Sequence, residues 1–295
     1  MRFANEASET AFRVLNKCTD EMKLERPWRW SCFVQNGARL PIAATLDEDF
    51  LHLDCLPAVT RRTACTIEQA ILYNRSLAGG VKFALDSATN ALRLSSDILV
   101  RDERQLLDRF RWALDGFHDG YRLLKLPASN PGSAEEHHIG SGIALAELMR
   151  ESSWRLTERG PGEFSTELET KSSPSVRLHS NSREVALTAE FLRANTVSDC
   201  SRKAIALFLL TASSSLRLTR AYGSETDCVW SCGMMVSLPP VPAMEEIDHS
   251  LAALSIAHSM CAREANVLLD EAAARCYLAA RDLPTCNHHF HEQEI

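Results

Sequence analysis

The residues with the most obvious chemical potential lie near the C-terminal end of the sequence. Cys286, His288, His289 and His291 fall within six positions, and thiolate and imidazole groups suit zinc or copper. They follow Pro284 in a polar stretch, whereas a structural metal site needs ligands that ordered neighbours hold in place. We therefore expect no metal here, and the sequence indicates none elsewhere.

Two further groups of residues have spacings that resemble a binding site, one for a metal ion and one for a phosphate. Cys228 and Cys232 are four apart, but the alternating pattern around Trp230 predicts a strand, where four residues span about 13 Å, too far for one metal ion. The Gly-Ser-Gly at 140–142 could seat a phosphate at a helix N-terminus. It follows no strand and lacks the third glycine of a dinucleotide-binding loop. With no nucleophile beside a base in a recognisable motif, the sequence predicts no enzyme, no catalytic residue and no cofactor.

Composition and charge narrow the class of protein. Hydrophobic residues make up 45% of the 295 positions, enough for two globular domains. Residues 1–126 carry 18 Lys/Arg and 17 Asp/Glu, and residues 127–295 carry the remaining 14 and 22, so a nucleic-acid partner, which favours a basic surface, is not expected. No run of about 18 apolar residues could span a membrane, and no signal peptide is evident. With ten scattered cysteines interpreted as reduced small hydrophobes, we expect a cytoplasmic protein.

The first 126 residues predict one domain with the element order α-β-β-β-α-β-β-α. Periods of 3.6 and 2 residues distinguish its helices from its strands. The helices are predicted over 10–22, 67–78 and 102–124, and the strands over 28–34, 40–46, 50–56, 81–85 and 91–100. A capping box at Thr66 and Gln69 opens the middle helix, and Gly79 and Gly80 end it.

Residues 143–281 predict the same order again, at an offset of 134 to 136 residues. Helices are predicted over 143–156 and 202–210, and strands over 164–168, 176–178, 185–191, 216–218 and 228–236. The closing helical pattern over 244–280 must break near 263–266 or reach over the other half. Segment 127–142 is predicted to be a linker and 282–295 a polar tail. The predicted fold class is thus α+β, a tandem repeat of a unit with an antiparallel five-stranded sheet flanked by helices.

This element order resembles the class I type III secretion chaperone fold, which the bacterial YbjN-like families share. The likeness lies in the strands over 28–56, the helix and hairpin over 67–100 and the helix over 102–124, with counterparts over 164–191, 202–236 and 244–269. In that family, two subunits pair through the middle helix and the following strand, and apolar patches bind an extended polypeptide. The resemblance implies a non-enzymatic, polypeptide-binding protein, a monomer whose two copies form a pseudo-dimer within one chain. The alternative is a regulatory or sensory module with a small ligand between the domains.

Two groups of residues are predicted to make contacts. The surface between the halves is expected to include Tyr73, Leu77, Val81, Phe83, Phe208, Leu209, Leu216 and Leu218. Trp28, Trp30 and Phe33 place aromatic rings on both faces of one strand. One of those faces should be exposed unless a helix or partner covers it, so these three are the candidate partner-binding residues.

Overall fold

The computed structural model describes residues 6–36, 38–55, 67–86, 91–125, 154, 156–160, 163–167, 175–180, 183–226 and 228–281. These residues form an α+β fold with two antiparallel six-stranded sheets and six helices. The predicted linker at 127–142, the tail at 282–295 and most of the helix predicted over 143–156 lie outside the described residues.

The first half forms one sheet and three helices. In chain order its elements are α1 (Glu6–Cys18), β1 (Asp20–Arg26), β2 (Arg29–Asn36), β3 (Ala38–Asp47), β4 (Phe50–Cys55), α2 (Ile67–Tyr73), β5 (Lys82–Leu85), β6 (Leu92–Leu99) and α3 (Glu103–Lys125). The strands lie in the order β1-β2-β3-β4-β6-β5, so β1 and β5 are its edges. Asp102 caps α3 by accepting a hydrogen bond from the Gln105 N–H at 2.8 Å.

The second half has its sheet strands in the same order. Its elements are β7 (Leu156–Gly160), β8 (Glu163–Glu167), β9 (Ser175–Ser180), β10 (Val185–Ala194), α4 (Asp199–Ser215), β11 (Arg220–Thr226), β12 (Val229–Leu238), α5 (Met244–Val267) and α6 (Glu271–Ala279). The sheet runs β7-β8-β9-β10-β12-β11. The closing helical pattern does break, at residues 268–270, where the Asp270 carboxylate caps α6.

Each sheet has one strand more than the sequence predicted. The prediction extended the first helix through residue 22, but α1 ends at Cys18 and residues 20–26 form strand β1. Six of the seven β1 residues are exposed, so neither face shows the apolar alternation by which a half-buried strand is recognised. Strand β7 was missed in the same way, because Thr157, Glu158 and Arg159 are exposed at the opposite outer edge.

The strand predicted over 216–218 is also wrong. Helix α4 continues to Ser215, and Leu218 has a positive φ of 61° in the turn before β11. The residues that the prediction left between the strands at 216–218 and 228–236 include β11, where Gly223 pairs with Cys232. A Cβ atom on Gly223 would lie 3.2 Å from Ile71, so the glycine permits α2 to approach the strand closely.

The two halves share one hydrophobic core. On α3, Leu106, Phe110, Ala113 and Phe117 recur every three or four residues and are fully buried, the stripe expected of a helix that covers a sheet. Most of the buried apolar side chains of both halves form one connected cluster, from which a small group in the second sheet is separate. In the described parts of the chain, no helix combines the length and apolar character needed to cross a bilayer.

Candidate functional site at the junction of the two halves

The inner edges of the two sheets face each other across the junction. Helix α4 lies against α2 and β5, and α2 lies against β11. An edge strand leaves backbone groups without ladder partners, and buried groups of that kind are costly unless they are hydrogen-bonded. At this junction, side chains from one half bond the backbone of the other.

Two buried basic residues exchange hydrogen bonds across the junction. The Lys82 ammonium donates to the Leu216 carbonyl at 2.8 Å and to the Thr219 carbonyl at 3.2 Å. In the opposite direction, the Arg220 guanidinium donates to the Val81 carbonyl at 2.8 Å. Each is the first residue of its edge strand and bonds the carbonyl just before the other strand. The contact is therefore reciprocal.

A buried amide joins the two edge strands at the same place. The Asn74 Nδ2 atom donates to the Phe83 carbonyl at 3.0 Å and to the Ala221 carbonyl at 2.8 Å. Its Oδ1 atom accepts from the Phe83 N–H at 2.6 Å. The side chain is fully buried, so water cannot replace these bonds.

We expect Asn74→Ala to lower the free energy of unfolding by about 2 kcal/mol, because it leaves buried backbone groups of both halves unsatisfied. Asn266→Ala is the matched control, since that amide is exposed and bonds the Ala262 carbonyl, and its effect should stay within about 0.5 kcal/mol. Urea denaturation of both variants measures the difference. Equal effects would show that the Asn74 bridge contributes nothing special.

Lys82 also begins a charged network on the outer face of the first sheet. Its ammonium lies 2.9 Å from Asp97 Oδ2, and Asp97 Oδ1 lies 2.7 Å from His52 Nδ1. His52 Nε2 lies 3.1 Å from Asp54, which also pairs with Arg93. Positively and negatively charged side chains alternate along the network from the buried junction towards solvent, so each one lies beside a group of opposite charge.

The neighbours of His52 and Asp97 determine their protonation. Burial alone would lower the pKa of His52, but hydrogen bonds to Asp54 and Asp97 and their charges raise it to about 9. Burial alone would raise the pKa of Asp97, but Lys82 and His52 hold it well below its usual range. At neutral pH the site therefore contains an imidazolium between two carboxylates.

This arrangement suits a structural role better than catalysis. Both His52 ring nitrogens are engaged by carboxylates, so neither offers a lone pair to accept a proton. His118 and His258 are buried, which lowers the pKa of each. Burial also raises the pKa of the Cys32 thiol to about 11 and that of Cys55 to about 12, the opposite of an activated nucleophile.

Ion pairs surround the buried part of the junction. Arg109 of α3 forms two hydrogen bonds with Glu246 of α5, at 2.9 and 2.7 Å, and Arg101 pairs with Glu245. In the reverse direction, Arg217 of the second half pairs with Asp47 of the first half. The bidentate Arg109–Glu246 pair is the type most able to fix orientation.

Of the residues predicted for the junction, Val81, Leu216 and Leu218 have backbone groups that bond across it. Tyr73 and Phe83 are buried with ring centroids 6.5 Å apart, and Leu77, Val81 and Leu209 are fully buried. The Leu216 carbonyl accepts a hydrogen bond from the Lys82 ammonium, and the Leu218 N–H donates to the Asp97 carboxylate at 3.2 Å. These last two act through their backbone, in a turn rather than in the predicted strand.

Phe208, which was also predicted for the junction, makes an aromatic contact with the last helix. Its ring meets Tyr277 of α6 edge-on, with centroids 6.3 Å apart, so the contact lies within the second half. Phe208 is only partly buried, and it helps to hold α6 on α4. The apolar character of α4 predicted a covered face, but not that α6 supplies the cover.

The three candidate partner-binding residues have different environments in the structure. Trp30 faces the core and is 1% exposed, so it cannot meet a partner. Trp28 lies in the β1–β2 turn with a φ of 64° and packs partly on the core. Phe33 lies on the opposite, partly exposed face of β2 beneath the Arg39 guanidinium, 4.0 Å from the ring centroid.

The sequence did not point to the residues that form the network. Lys82 lies between two apolar residues, which is the only signal that could have marked it, whereas Asp97 and Arg220 each follow a polar residue. A charge flanked by buried apolar residues at the start of a strand, as in Val81-Lys82-Phe83, indicates a partner beyond the strand's own sheet. Asn74 offered no signal, because a polar residue at the end of a helix is ordinarily a cap or turn residue.

Two cavities lie at the junction. A small one of about 60 Å³ borders Gly80, Trp112 and Glu246, room for only a few water molecules. A larger one of about 350 Å³ lies between α2 and α4, lined by Glu68, Ile71, Leu72, Asp199, Arg202, Ala206, Glu225 and Trp230.

Within the described ranges, no group of three or more His, Cys, Asp and Glu side chains is arranged to hold a metal ion. Of the predicted pair, Cys232 is buried in β12, as expected of a sheet cysteine, whereas Cys228 is exposed in the preceding turn. The cysteine and histidine cluster at 286–291 and the Gly-Ser-Gly at 140–142 lie outside the described residues.

A scan against known protein-family models finds no match to this chain, and a search of curated proteins finds none either. The fold and site therefore define the class of protein by geometry alone. It is an α+β protein whose two antiparallel sheets meet at a buried, reciprocally hydrogen-bonded junction.

Proposed function

We propose that the two halves are copies of one unit and form a pseudo-dimer within one chain. The strands of both sheets follow the same order. Residues at equivalent positions make equivalent contacts, and their sequence numbers differ by a nearly constant amount. The pairs are Lys82 and Arg220 (138), Phe83 and Ala221 (138), Asn74 and Ser213 (139), and Asp97 and Ser237 (140). Asn74 accepts from the Phe83 N–H as Ser213 accepts from the Ala221 N–H.

The reciprocal bonds of Lys82 and Arg220 are the observation that carries this proposal. In a two-fold interface, the contact from one subunit recurs with the roles exchanged. Lys82 bonds the carbonyl before Arg220, and Arg220 bonds the carbonyl before Lys82. A chance packing of two unrelated domains would have no reason to show this exchange.

Within that arrangement, we propose a non-enzymatic, polypeptide-binding function of the type III secretion chaperone kind. Support comes from the outer face of the first sheet, where Phe33 and Phe50 are only partly buried. Arg39 and Arg217 lie over these rings. An extended polypeptide with apolar and acidic side chains would complement such a face. A cytoplasmic location fits the eight free cysteines of the described residues.

Fluorescence polarisation with labelled extended peptides that alternate apolar and acidic residues tests this function. We expect Phe33→Asp to weaken binding about tenfold, because it places a charge on the apolar surface and repels acidic side chains. Val241→Asp is the matched control, at a position 76% exposed in the loop before α5, and should bind as the unaltered chain does. Equal affinities for all three chains would refute this surface as the binding site.

The alternative, a regulatory module with a small ligand, is favoured by the larger cavity. Its volume of about 350 Å³ is within the range of ligand sites, and its lining combines Trp230 with the paired Arg202 and Glu225. A small cationic amphiphile would fit three carboxylates and an apolar wall. Thermal-shift screening separates the two functions, because a ligand that stabilises the chain and loses its effect in Glu225→Gln supports the alternative.

A further inference from the structure

Exposed apolar side chains are concentrated on one helix. Six large hydrophobic residues of the described chain are exposed, and Ile256, Met260 and Val267 lie on α5, each more than half exposed. Ala252 is exposed on the same face. Spacings of four, four and seven residues place these four on one stripe along the helix.

The fold itself does not require this stripe. Shifting α3 by 141 residues superposes its buried positions on those of α5, for example Phe110 on Leu251 and Leu124 on Ala265. The same shift places Arg111, Asp115 and Asp119 of α3 on Ala252, Ile256 and Met260 of α5. The first half keeps its outward helix face charged, and the second half keeps the same face apolar.

The stripe also lacks charge over an unusual length. From residue 250 to 262 the sequence contains no Asp, Glu, Lys or Arg, although its outer face meets solvent. Charged residues resume at the ends, with Glu245 in the first turn of α5 and Arg263 near its end. Contiguous exposed apolar surface with a polar rim is typical of a protein–protein contact.

We propose that the stripe pairs two copies of this chain, with their α5 helices antiparallel and crossing at Ile256. In such a pair, residues equally distant from Ile256 on either side meet. Met260 of one copy then lies against Ala252 of the other, a large side chain opposite a small one. Arg263 comes within about one helical turn of the acidic Glu245. In this register Val267 lies opposite Glu245 at the ends of the contact, so the self-complementarity is one of shape around Ile256 and one of charge between Arg263 and Glu245.

A second copy fits this stripe better than an unlike partner. The uncharged centre offers no electrostatic means of selecting a different protein, whereas a two-fold contact needs only the stripe itself. Since the described part of each chain carries one such stripe, pairing through it closes at two chains and does not continue into a filament. This proposal replaces the sequence-based expectation of a monomer, which considered only the surface between the halves.

Sedimentation velocity over a concentration series tests the pairing through its symmetry. Ile256 meets Ile256 at the two-fold axis, so Ile256→Asp and Ile256→Lys should each weaken dimerisation about tenfold or more by like-charge repulsion. An equimolar mixture of the two variants should recover the dimer, because opposite charges then meet at the axis. Recovery on mixing is a result that no unlike partner would give.

Leu24→Asp is the control, since Leu24 is an exposed apolar residue on β1 and its substitution should leave the dimer intact. Thermal unfolding should be unchanged at low concentration in every variant, because the substituted side chains are exposed. A wild-type chain that stays monomeric at its highest soluble concentration overturns the proposal, including the case in which a different protein occupies the stripe. A dimer that persists in Ile256→Asp overturns it too.

Discussion

Replacing Asp97 with asparagine is expected to lower the free energy of unfolding by about 3–5 kcal/mol. The carboxylate is 5% exposed and lies between the Lys82 ammonium and the His52 imidazolium. Asparagine preserves the shape but removes the charge, so two cations lose their shared partner in a buried place. Because Asp97 also accepts from the Leu218 N–H, the substitution affects both halves.

Urea denaturation of Asp97→Asn beside Asp115→Asn measures this effect. Asp115 is exposed on α3, and its substitution should change the free energy by no more than about 0.5 kcal/mol. A loss below about 1 kcal/mol at Asp97 would mean that the network behaves as a surface ion pair, which would contradict its structural role at the junction.

Raising the pH from 6.5 to above 9 is expected to remove about 3 kcal/mol of stability that depends on His52. The pKa of His52 rises from 6.5 to about 9 in the folded chain. A raised pKa contributes stability that is fully present below 6.5 and is lost as the pH passes through 9. Asp97 acts oppositely, since its lowered pKa contributes stability that is lost only as the pH falls below the ordinary carboxyl range.

Comparison of the wild-type chain with His52→Gln isolates this contribution. Burial raises the pKa of the Cys32 and Cys55 thiols, so their ionisation in the unfolded chain also lowers stability at high pH, but this effect is the same in both proteins and cancels in the difference. The two stability curves should converge between pH 6.5 and 9.5. Parallel curves over that interval would show that His52 is not held as an imidazolium.

The parts of the fold that the sequence predicted are those with a repeating burial pattern. Strand β4 alternates between buried and partly exposed residues, and α3 buries every third or fourth residue, so both were found close to their true bounds. Strands β1 and β7 were missed because edge strands exposed on both faces have no such pattern. Leu216 and Leu218 were placed in a strand because a short alternation of apolar residues also occurs in turns.

The candidate site depended on contacts that no local pattern reveals. Lys82 and Leu216 are 134 residues apart, and Asn74 and Ala221 are 147 apart. The apolar character of β5 and α4 indicated the elements that meet, since exposed apolar faces require cover. It could not indicate that polar side chains would satisfy the facing strand edges, because that depends on how the halves are oriented.

The most direct test of the internal pseudo-dimer is to cut the chain between its halves. A protease site introduced within 127–142, which the sequence predicts as a linker, allows cleavage of the folded protein, and native mass spectrometry then reports what remains associated. The reciprocal bonds of Lys82 and Arg220 and the shared core predict that the two pieces stay together in equal amounts. Separation into independently folded pieces after cleavage would contradict the account.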